Sequence, residues 1–394
     1  MEKEKKRKRG QNEGSIYKRK DGRWASVLNL GYQGGKLKRK YFYGATRKEV
    51  NDSLTAEQEK LRKGLPIVVE RQTLKQFLER WLEDSVKPTV RPATYVSYEQ
   101  QVRVHIAPAL GHHQLTKLGP QHILAYMNDK AKPIPQPDNE KPKPGLSAKT
   151  IGYHRSLLVM AVGQALKWGL VARNVATLVD RPRAVKYEIQ PITPEQARQF
   201  LEAIKGNRLE ALFTVALSLG LRRGEALGLR WQDIDFEKRT LRVHQSLARI
   251  NKKLVLSEPK TKSSRRILDL PATLAVRLKE HRTRQLEDRM AAGTGWVETG
   301  LVFTSGIGTP VDPRHVKRYL DPVLTKAGLP HFRVHDLRHF CASLLLAQGV
   351  PLKVVSDLLG HTQIGITADL YTHVLPGVRK EAIDLMDRIL SAQK

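Results

Sequence analysis

Cysteine is nearly absent from this chain, because Cys341 is the single cysteine among 394 residues. One cysteine excludes an intramolecular disulfide framework and cysteine-based zinc fingers, and it is typical of a reducing compartment. Long apolar runs are missing too, since none approaches the roughly 18–20 residues that span a bilayer. The first nine residues are charged and no apolar segment follows them, so we expect neither a membrane span nor a secretory signal.

Acidic residues are also scarce. The chain has 39 Asp and Glu against 69 Lys and Arg, so its formal net charge is +30 and its pI about 10.2. Such an excess of one sign repels itself unless a polyanion is the usual partner. Nucleic acid is the leading candidate, with binding that weakens steeply as salt rises. An anionic membrane surface is the alternative, but no basic amphipathic helix flanked by aromatic residues supports it.

The N-terminal part combines this basic charge with a strand pattern. Of the net charge, +11 falls within residues 1–50, which hold 16 Lys and Arg and 5 Asp and Glu. Asp-Gly and Gly-Gly turn signals separate three predicted strands, and a capping box at Thr46 and Glu49 then opens a helix toward Gly64. A small basic sheet of this kind can lie in a major groove, and a purely structural meander is the alternative. The predicted strands are residues 15–18, 23–30 and 36–43.

Four helical patterns with apolar residues at spacings of three and four follow in the middle of the chain. They begin at Thr73, Pro92, Pro120 and Ser147. Residues 131–146 contain five prolines and are predicted to be extended rather than helical. Four helices of this length predict a compact bundle, with its aromatic stripe in the core.

The C-terminal half mixes helices with short strands. A capping box at residues 193–196 opens a helix, and a second, buried helix ends at Gly220. Residues 234–236 and 240–243 are predicted to form a hairpin, and residues 254–256 and 267–268 a second strand pair around a basic turn. The rest is predicted to be helical. The whole is therefore a multidomain protein, mainly α with small β-sheets, with a three-stranded sheet plus helix, a helical bundle and a mixed α+β domain at residues 1–66, 67–182 and 183–394.

Arg222 follows the glycine that ends the buried helix, and Glu225 stands three residues later on the same helical face. A carboxylate in that position can hold the guanidinium, whose planar fork suits phosphodiester oxygens better than lysine does. Taken alone, an Arg-x-x-Glu pair is more often an ion pair on the protein surface. Both interpretations stay open from the spacing.

His335, Arg338 and His339 are spaced i, i+3 and i+4, so they project from one side of a helical turn. The pattern predicts that the helix buries an opposite apolar stripe and directs these polar groups elsewhere. His-x-x-x-His also occurs in zinc proteases, but their glutamate is replaced by Asp-Leu here and an arginine beside a metal is unfavourable. We therefore predict no metal. The apolar stripe consists of Leu337, Phe340, Cys341, Leu344 and Leu345.

His361 follows Gly360, which ends a helix begun at Pro351, and Tyr371 lies within the next eleven residues. A histidine at a helix end is often just a cap, and the tyrosine could be a half-buried core residue. Together with the arginines, however, these groups supply cationic donors for phosphate oxygens, side chains that titrate near neutral pH and a phenol. That inventory suits phosphoryl transfer with a tyrosine nucleophile.

These motifs resemble those of the tyrosine recombinases of the phage and conjugative-transposon integrase type. The resemblance covers essentially the whole chain, is most specific in the C-terminal half and is weakest in the helical middle. Residues 1–66 resemble the AP2-like domain that binds arm-type DNA sites, and residues 67–182 a core-binding, SAM-like domain. The matching boxes are Gly220-Leu-Arg-Arg-Gly-Glu225, Pro259-Lys-Thr-Lys262, His335-Asp-Leu-Arg338, Leu359-Gly-His361 and Tyr371-Thr-His373.

The resemblance implies that Tyr371 attacks the scissile phosphate, which gives a 3′-phosphotyrosyl link and a free 5′-hydroxyl. Arg222 and Arg338 would hold the phosphate oxygens and stabilise the developing charge. Because the phosphotyrosine retains the bond energy, no ATP or other cofactor is expected.

The same resemblance assigns the proton transfers. Lys260 would protonate the leaving 5′-oxygen, with Lys262 as a nearby competitor for that role. His335 would accept or relay the tyrosine proton, and His361 would hydrogen-bond the phosphate.

The implied partners are double-stranded DNA at core-type and arm-type sites, other copies of the chain in a tetramer, an excisionase and a host DNA-bending protein. The expected location is the bacterial cytoplasm, at the nucleoid and away from membranes. A helix from Val378 to Leu390 either folds back on its own domain or docks on a neighbouring protomer. Candidate DNA contacts outside the catalytic motifs are Arg23, Trp24, Lys38, Arg39, Lys40, Arg91, Lys149 and Arg155.

The expected function is site-specific recombination that integrates and excises a phage or another mobile element. A type IB topoisomerase with the same chemistry is one rival, although relaxation of supercoils needs no second DNA address. A non-catalytic DNA-binding regulator is another, and the intact set of catalytic residue types argues against it.

Overall fold

The computed structural model describes residues 14–33, 36–62, 72–135, 142–184, 191–258 and 264–371, and also 383–384, 386–387 and 389–391. The predicted basic tail, the Gly34-Gly35 turn and the basic turn at 259–263 lie outside these residues. The chain divides into two compact units, Met1–Lys186 and Tyr187–Lys394. Within the described ranges, no helix combines the length and the apolar character needed to cross a membrane.

The N-terminal sheet and its helix form as predicted. Strands β1 (Ser15–Lys18), β2 (Trp24–Gln33) and β3 (Lys36–Gly44) make an antiparallel meander, and α1 (Arg47–Arg62) packs against it. The capping box is present, since the Glu49 amide donates to Thr46 Oγ1 at 3.2 Å. A small core lies between helix and sheet, built from Ile16, Leu28, Phe42 and Leu54.

The predicted bundle follows, and its helices start where the sequence places caps. Thr73 and Ser147 accept hydrogen bonds from the first turns of α2 and α6, and Pro92 and Pro120 open α3 and α5. The helix begun at Pro92 runs through a π-helical turn into the short α4. The proline-rich segment is extended where described, with an Ile134–Lys143 bridge. The helices are α2 (Leu74–Trp81), α3 (Pro92–Gln101), α4 (Ala107–Leu110), α5 (Pro120–Ala131) and α6 (Ala148–Lys167).

The second unit surrounds one apolar core with helices and two small sheets. The core includes the fully buried rings of Phe200, Phe213, Phe303 and Phe340. The helices are α7 (Pro194–Ala203), α8 (Glu210–Leu219), α9 (Arg223–Leu227), α10 (Ala272–Ala292), α11 (Val316–Lys326), α12 (Asp336–Ala347), α13 (Leu352–Leu359) and α14 (Ile364–Tyr371). The strands are β4 (Ile234–Asp235), β5 (Thr240–Val243), β6 (Ser246–Ile250), β7 (Lys253–Ser257) and β8 (Arg266–Asp269).

The predicted pairing of residues 254–256 with 267–268 is wrong. Strand β7 pairs with β6, and β8 pairs with β5 beside β4. A two-residue turn explains the difference, because Asn251 and Lys252 have φ of 47° and 65° and join β6 to β7 directly. Positive φ at both positions matches the twist of a tight hairpin, which closes before residue 267 is reached.

The prediction that everything after this sheet is helical is also wrong in part. Residues 296–315 carry no helix and instead turn through two isolated bridges, Arg230–Leu301 and Thr304–Pro310. Near the C-terminus, the described residues between 383 and 391 are helical, as predicted. Their apolar side chains at Ile383, Met386, Ile389 and Leu390 are each more than half exposed.

Gly220 offers a test of how tightly α8 and α13 meet. It adopts φ of +60°, and a Cβ there would lie 2.5 Å from Leu359 Cδ2. We expect Gly220→Ala to destabilise the chain by about 1–2 kcal/mol from the left-handed backbone and by about 1–3 kcal/mol more from overpacking. Chemical unfolding followed by circular dichroism measures the change.

Gly349→Ala is the matched control. Gly349 also follows a helix, with φ of +78°, but a Cβ added there would meet no atom within 4 Å, so its cost should be the backbone part alone. Equal losses at both glycines would contradict the close contact between the two helices.

Candidate active site

Arg222 stands between α8 and α9, and its guanidinium is held by Glu225. Arg222 Nη1 donates to Glu225 Oε1 at 2.6 Å, and the Arg222 amide donates to Oε2 at 3.1 Å. The glutamate side chain is 3% exposed, whereas the arginine side chain is 36% exposed. The predicted contact is therefore present, and it is an anchored pair with an accessible guanidinium rather than a surface ion pair.

Arg338 comes to the same place from α12. Its Nη1 donates to the carbonyl of Gly220 at 2.8 Å, and its side chain is buried. A helix ends with carbonyls that lack partners within the helix, and its C-terminus carries partial negative charge, so a guanidinium is favourable there. Because Arg222 stands two residues after Gly220, this contact brings Arg338 beside Arg222. The expectation that Arg338 points away from the buried side of its helix is wrong, because Arg338 is itself buried.

His361 reaches the site from the end of α13. Gly360 takes a left-handed conformation with φ of +67°, and the His361 amide donates to the Ser356 carbonyl at 3.0 Å. Arg222 Nη2 donates to the Gly360 carbonyl at 3.3 Å. This bond links the end of α8, which Arg222 follows, to the end of α13, which His361 follows. The ring is held by a 2.7 Å hydrogen bond between Nδ1 and Thr367 Oγ1, which fixes its orientation and leaves Nε2 for other contacts.

His335 and His339 lie at the start of α12, with ring centroids 5.2 Å apart. Burial and then the charge of Arg338 lower the pKa of His335. Burial, followed by His335 and other neighbours, lowers the pKa of His339 to about 4. Burial and the two arginines likewise lower the pKa of His361 to about 4. These imidazoles are therefore neutral at neutral pH and can accept a proton.

The side chains of the remaining two predicted catalytic residues, Tyr371 and Lys260, lie outside the described part of the chain. Tyr371 is the last residue of α14, the helix that follows His361, and its side chain lies outside the described residues. Lys260 and Lys262 also fall outside them. The chain resumes at Ser264, whose hydroxyl accepts from Arg222 Nη1 at 3.4 Å. The described end of the basic turn is thus next to Arg222.

The sequence analysis missed Arg266 as a site residue. Its side chain is 8% exposed, and its Nη2 donates to Glu225 Oε2 at 3.2 Å. Although burial alone would raise the pKa of Glu225, Arg266 and Arg222 hold it below its usual value. The residue types alone gave no signal, because only the structure places Arg266 on the inward face of β8 with Leu268 while Ile267 points outward and is 63% exposed. Such a reversal of the usual burial is expected at functional or strained positions.

The predicted contacts on the N-terminal sheet divide between its two faces. Lys40 pairs with Glu57 of α1 at 3.0 Å, and the Arg47 guanidinium of that helix stacks over Trp24. These two predicted contacts therefore face the helix. Arg23 and Arg39 are exposed, and the side chain of Lys38 lies outside the described residues. The open face also carries three exposed tyrosines that the sequence analysis did not single out, Tyr17, Tyr41 and Tyr43.

The candidate contacts on the bundle differ in their surroundings. Arg91 precedes α3 and Lys149 lies in the first turn of α6, and both are exposed. The Arg155 guanidinium instead donates to the carbonyls of Val179 and Thr177 within its own domain. Across the described part of the chain, no three His, Cys, Asp or Glu side chains come together in a way that could hold a metal ion.

Known proteins resemble this chain over most of its length. Residues 190–377 match the model of the "Phage integrase family", and residues 73–131 match "Phage integrase, N-terminal SAM-like domain". The "Tyrosine recombinase XerC-like" protein of Caldanaerobacter subterraneus subsp. tengcongensis is 36% identical over 373 residues, or 90% of this chain and 93% of that protein. The chain belongs to the phage integrase family of tyrosine recombinases. The predicted family and enzyme class are confirmed.

Solved structures bear out the fold of this tyrosine recombinase. The Tn1549 transposon integrase, in complex with a circular intermediate DNA, superposes with a TM-score of 0.64 at 20% identity, over 80% of this chain and 99% of that one. A lambda integrase tetramer bound to a Holliday junction gives a TM-score of 0.55 at 18% identity, over 91% and 97% of the two chains. The predicted fold class, mainly α with small sheets, is confirmed.

The lowered pKa of His339 predicts acid sensitivity. Its folded-state pKa is about 4 against an ordinary 6.5, so the unfolded chain binds more protons between these values. Stability should therefore fall as pH drops from about 6.5 toward 4. We expect the thermal midpoint of His339→Gln to fall less between pH 7 and pH 5 than the midpoint of the unaltered recombinase does.

His331→Gln is the control for this comparison, because His331 is 60% exposed and pairs with Asp321 on the surface. It should lose as much as the unaltered chain. A His339→Gln variant with the same pH dependence as this control would show that the imidazole does not carry the effect.

Proposed function

We propose that this recombinase cuts and rejoins double-stranded DNA through a 3′-phosphotyrosine on Tyr371. The observation that carries the proposal is the pair of contacts that bring Arg222, Arg338 and His361 together at the ends of α8 and α13. Tyr371 ends α14, the helix that follows His361 in the chain. Two guanidinium groups and an imidazole offer several donors to one phosphate. Such preorganised donors stabilise the charge that develops on the non-bridging oxygens.

The proposed reaction balances protons between two residues. Tyr371 Oη forms a bond to phosphorus as the bond from phosphorus to the 5′-oxygen breaks. His335, neutral at neutral pH, takes the phenolic proton, and Lys260 gives a proton to the leaving 5′-oxygen. Rejoining reverses these steps with a 5′-hydroxyl as the nucleophile, so the phosphotyrosine supplies the bond energy and no ATP is needed. The arginines and the lysine supply the positive charge.

We assign residues 1–66 to arm-type DNA, 67–182 to core-type DNA and 183–394 to catalysis. The independent cores of the N-terminal sheet, the bundle and the C-terminal unit support this division. The exposed apolar residues between 383 and 391 support docking of the C-terminal helix on a neighbouring protomer. We further propose a tetramer on DNA, with an excisionase and a host DNA-bending protein as partners, at the nucleoid in the bacterial cytoplasm.

A nicked suicide substrate tests the chemistry. The recombinase should form a covalent adduct that traps the cut strand, and Tyr371→Phe should bind the same DNA with unchanged affinity but form no detectable adduct. Gel electrophoresis under denaturing conditions measures the adduct. If the unaltered protein forms none with its cognate site, the proposed reaction is wrong.

Strand exchange separates the recombinase from its rivals. Two cognate sites on separate DNA molecules should recombine, and a topoisomerase would relax supercoils without joining them. A DNA-binding regulator would bind both sites and leave all strands intact. Each outcome is read on one gel.

The N-terminal sheet supports a second prediction. Arg39 lies on the open face, whereas its neighbour Lys40 pairs with Glu57 under the helix. Arg39→Met should weaken binding to arm-type DNA and reduce the slope of log affinity against log salt by about 1, because one phosphate contact is lost.

Lys40→Met removes the same charge one residue away and is the matched control. Its salt slope on arm-type DNA should stay close to that of the unaltered chain. A larger effect from Lys40→Met than from Arg39→Met would mean that the opposite face of the sheet meets the DNA.

A further inference from the structure

Arg266 is a deeply buried cation beside the proposed phosphate site. It enters from β8 and contacts α9, the end of α13 and, within its own stretch of chain, Ser264. Its Nη2 donates to Glu225 Oε2 at 3.2 Å, its Nε to the Leu358 carbonyl at 2.8 Å and its Nη1 to the Ser264 carbonyl at 3.1 Å. With its side chain 8% exposed, Arg266 is far less accessible than Arg222 at 36%.

The first contact determines how Glu225 can hold Arg222. Glu225 has two oxygens, and Arg222 Nη1 uses Oε1 while Arg266 Nη2 occupies Oε2. Because Oε2 is taken, the Arg222 side chain bonds the carboxylate through one nitrogen, and its Nη2 extends to the Gly360 carbonyl. Without Arg266, Oε2 would keep only the Arg222 amide as a donor, and its remaining acceptor site would be open to the Arg222 fork. Carboxylates favour such bidentate pairing, which would turn Arg222 away from the phosphate.

The second contact acts on His361. Leu358 lies in the last turn of α13, and its carbonyl receives the Arg266 Nε–H. Gly360 and His361 follow directly, so the arginine ties β8 to the helix end that presents the imidazole. A cation at this position also interacts favourably with the partial negative charge of the helix C-terminus. One side chain therefore holds two groups of the site in a fixed relation.

We propose that Arg266 is a positioning residue for strand cleavage, which orients Arg222 through Glu225 and His361 through the end of α13 without touching the phosphate. This inference rests on the proposed function, because it concerns the same reaction. It assigns Arg266 no contact with DNA. A buried ion pair is weak evidence for stability, since desolvation offsets much of the attraction, so a role in the geometry of the site is the better account of the pair.

Two substitutions separate the contributions of charge and shape. Arg266→Met removes both, and Arg266→Lys keeps a positive charge that can reach Glu225 but cannot make all three contacts at once. The full-length variants are mixed with saturating nicked suicide DNA, and the rate of adduct formation is measured in a single turnover. DNA affinity and the thermal midpoint are measured alongside, so that a variant that fails to fold is recognised.

Arg265→Met is the matched control, because it removes the same charge from the residue directly before Arg266. Arg265 is 54% exposed and pairs with the exposed Glu258. We expect an unchanged cleavage rate within about twofold for this control. Arg266→Met should slow cleavage about 100-fold at unchanged DNA affinity, as a misplacement of about 1 Å in the reacting groups would. Arg266→Lys should fall between the two.

The pH profile gives a readout that general loosening of the fold would not produce. Loss of Arg266 removes one of the two cations that keep the Glu225 pKa low, so protonation of this carboxyl should begin at a higher pH. The pH at which the cleavage rate falls on the acidic side of the profile should therefore be higher in Arg266→Met. It should be unchanged in Arg265→Met and Arg266→Lys.

Different outcomes overturn the inference and the proposed function. If the unaltered chain forms an adduct and folded Arg266→Met cleaves as fast, Arg266 does not position the site although the reaction stands. If Arg266→Met weakens DNA binding and cleaves normally at saturation, Arg266 is a simple DNA contact and the inference is wrong. Should Arg266→Met not fold, an Arg266→Lys variant that cleaves at the unaltered rate overturns the dependence on shape. Absence of an adduct from the unaltered chain overturns the proposed function itself.

Discussion

Guanidinium groups bound to the carboxyl ends of two helices hold this site together. Arg338 bonds the Gly220 carbonyl at the end of α8, and Arg222 bonds the Gly360 carbonyl at the end of α13. Helix C-termini offer unpaired carbonyls and partial negative charge, so each contact satisfies a polar group that would otherwise need water. Because both glycines turn the chain sharply, the residues that follow them enter the site instead of continuing a helix.

The charge balance of the site follows from the same contacts. The site holds three arginines, Arg222, Arg266 and Arg338, and the Glu225 carboxylate pairs with the first two. Burial and these cations keep His361 neutral by lowering its pKa, so the imidazole adds no further positive charge. A net excess of positive charge therefore remains where a phosphodiester would bind. Such an excess is unfavourable in the free protein and favourable once a polyanion arrives, which is consistent with the net charge of +30 on the whole chain.

Local signals predicted most of the helices correctly, because caps and apolar spacing act over a few residues. Thr73, Ser147 and Gly220 each mark a helix end where the structure has one. The strand pairs were harder to predict. Residues 254–256 and 267–268 look like a hairpin around a basic turn, but the tight turn at Asn251 and Lys252 pairs the first of them with β6 instead. Turn geometry decides which strands pair here, and the positive φ of Asn251 and Lys252 cannot be read from the alternation of side chains.

The sequence by itself determined the inventory of the site and its family, because residue types at close spacing carry the chemistry and can be recognised without coordinates. The grouping of His335 with His339 follows from helical periodicity alone, and the spacing of Arg222 and Glu225 made their contact one of two open interpretations. Only the tertiary structure decided that Arg338 is buried on a helix end and that Arg266 occupies the second oxygen of Glu225. Those contacts join segments more than forty residues apart, and a side chain's partner across such a distance is chosen by packing, not by local pattern.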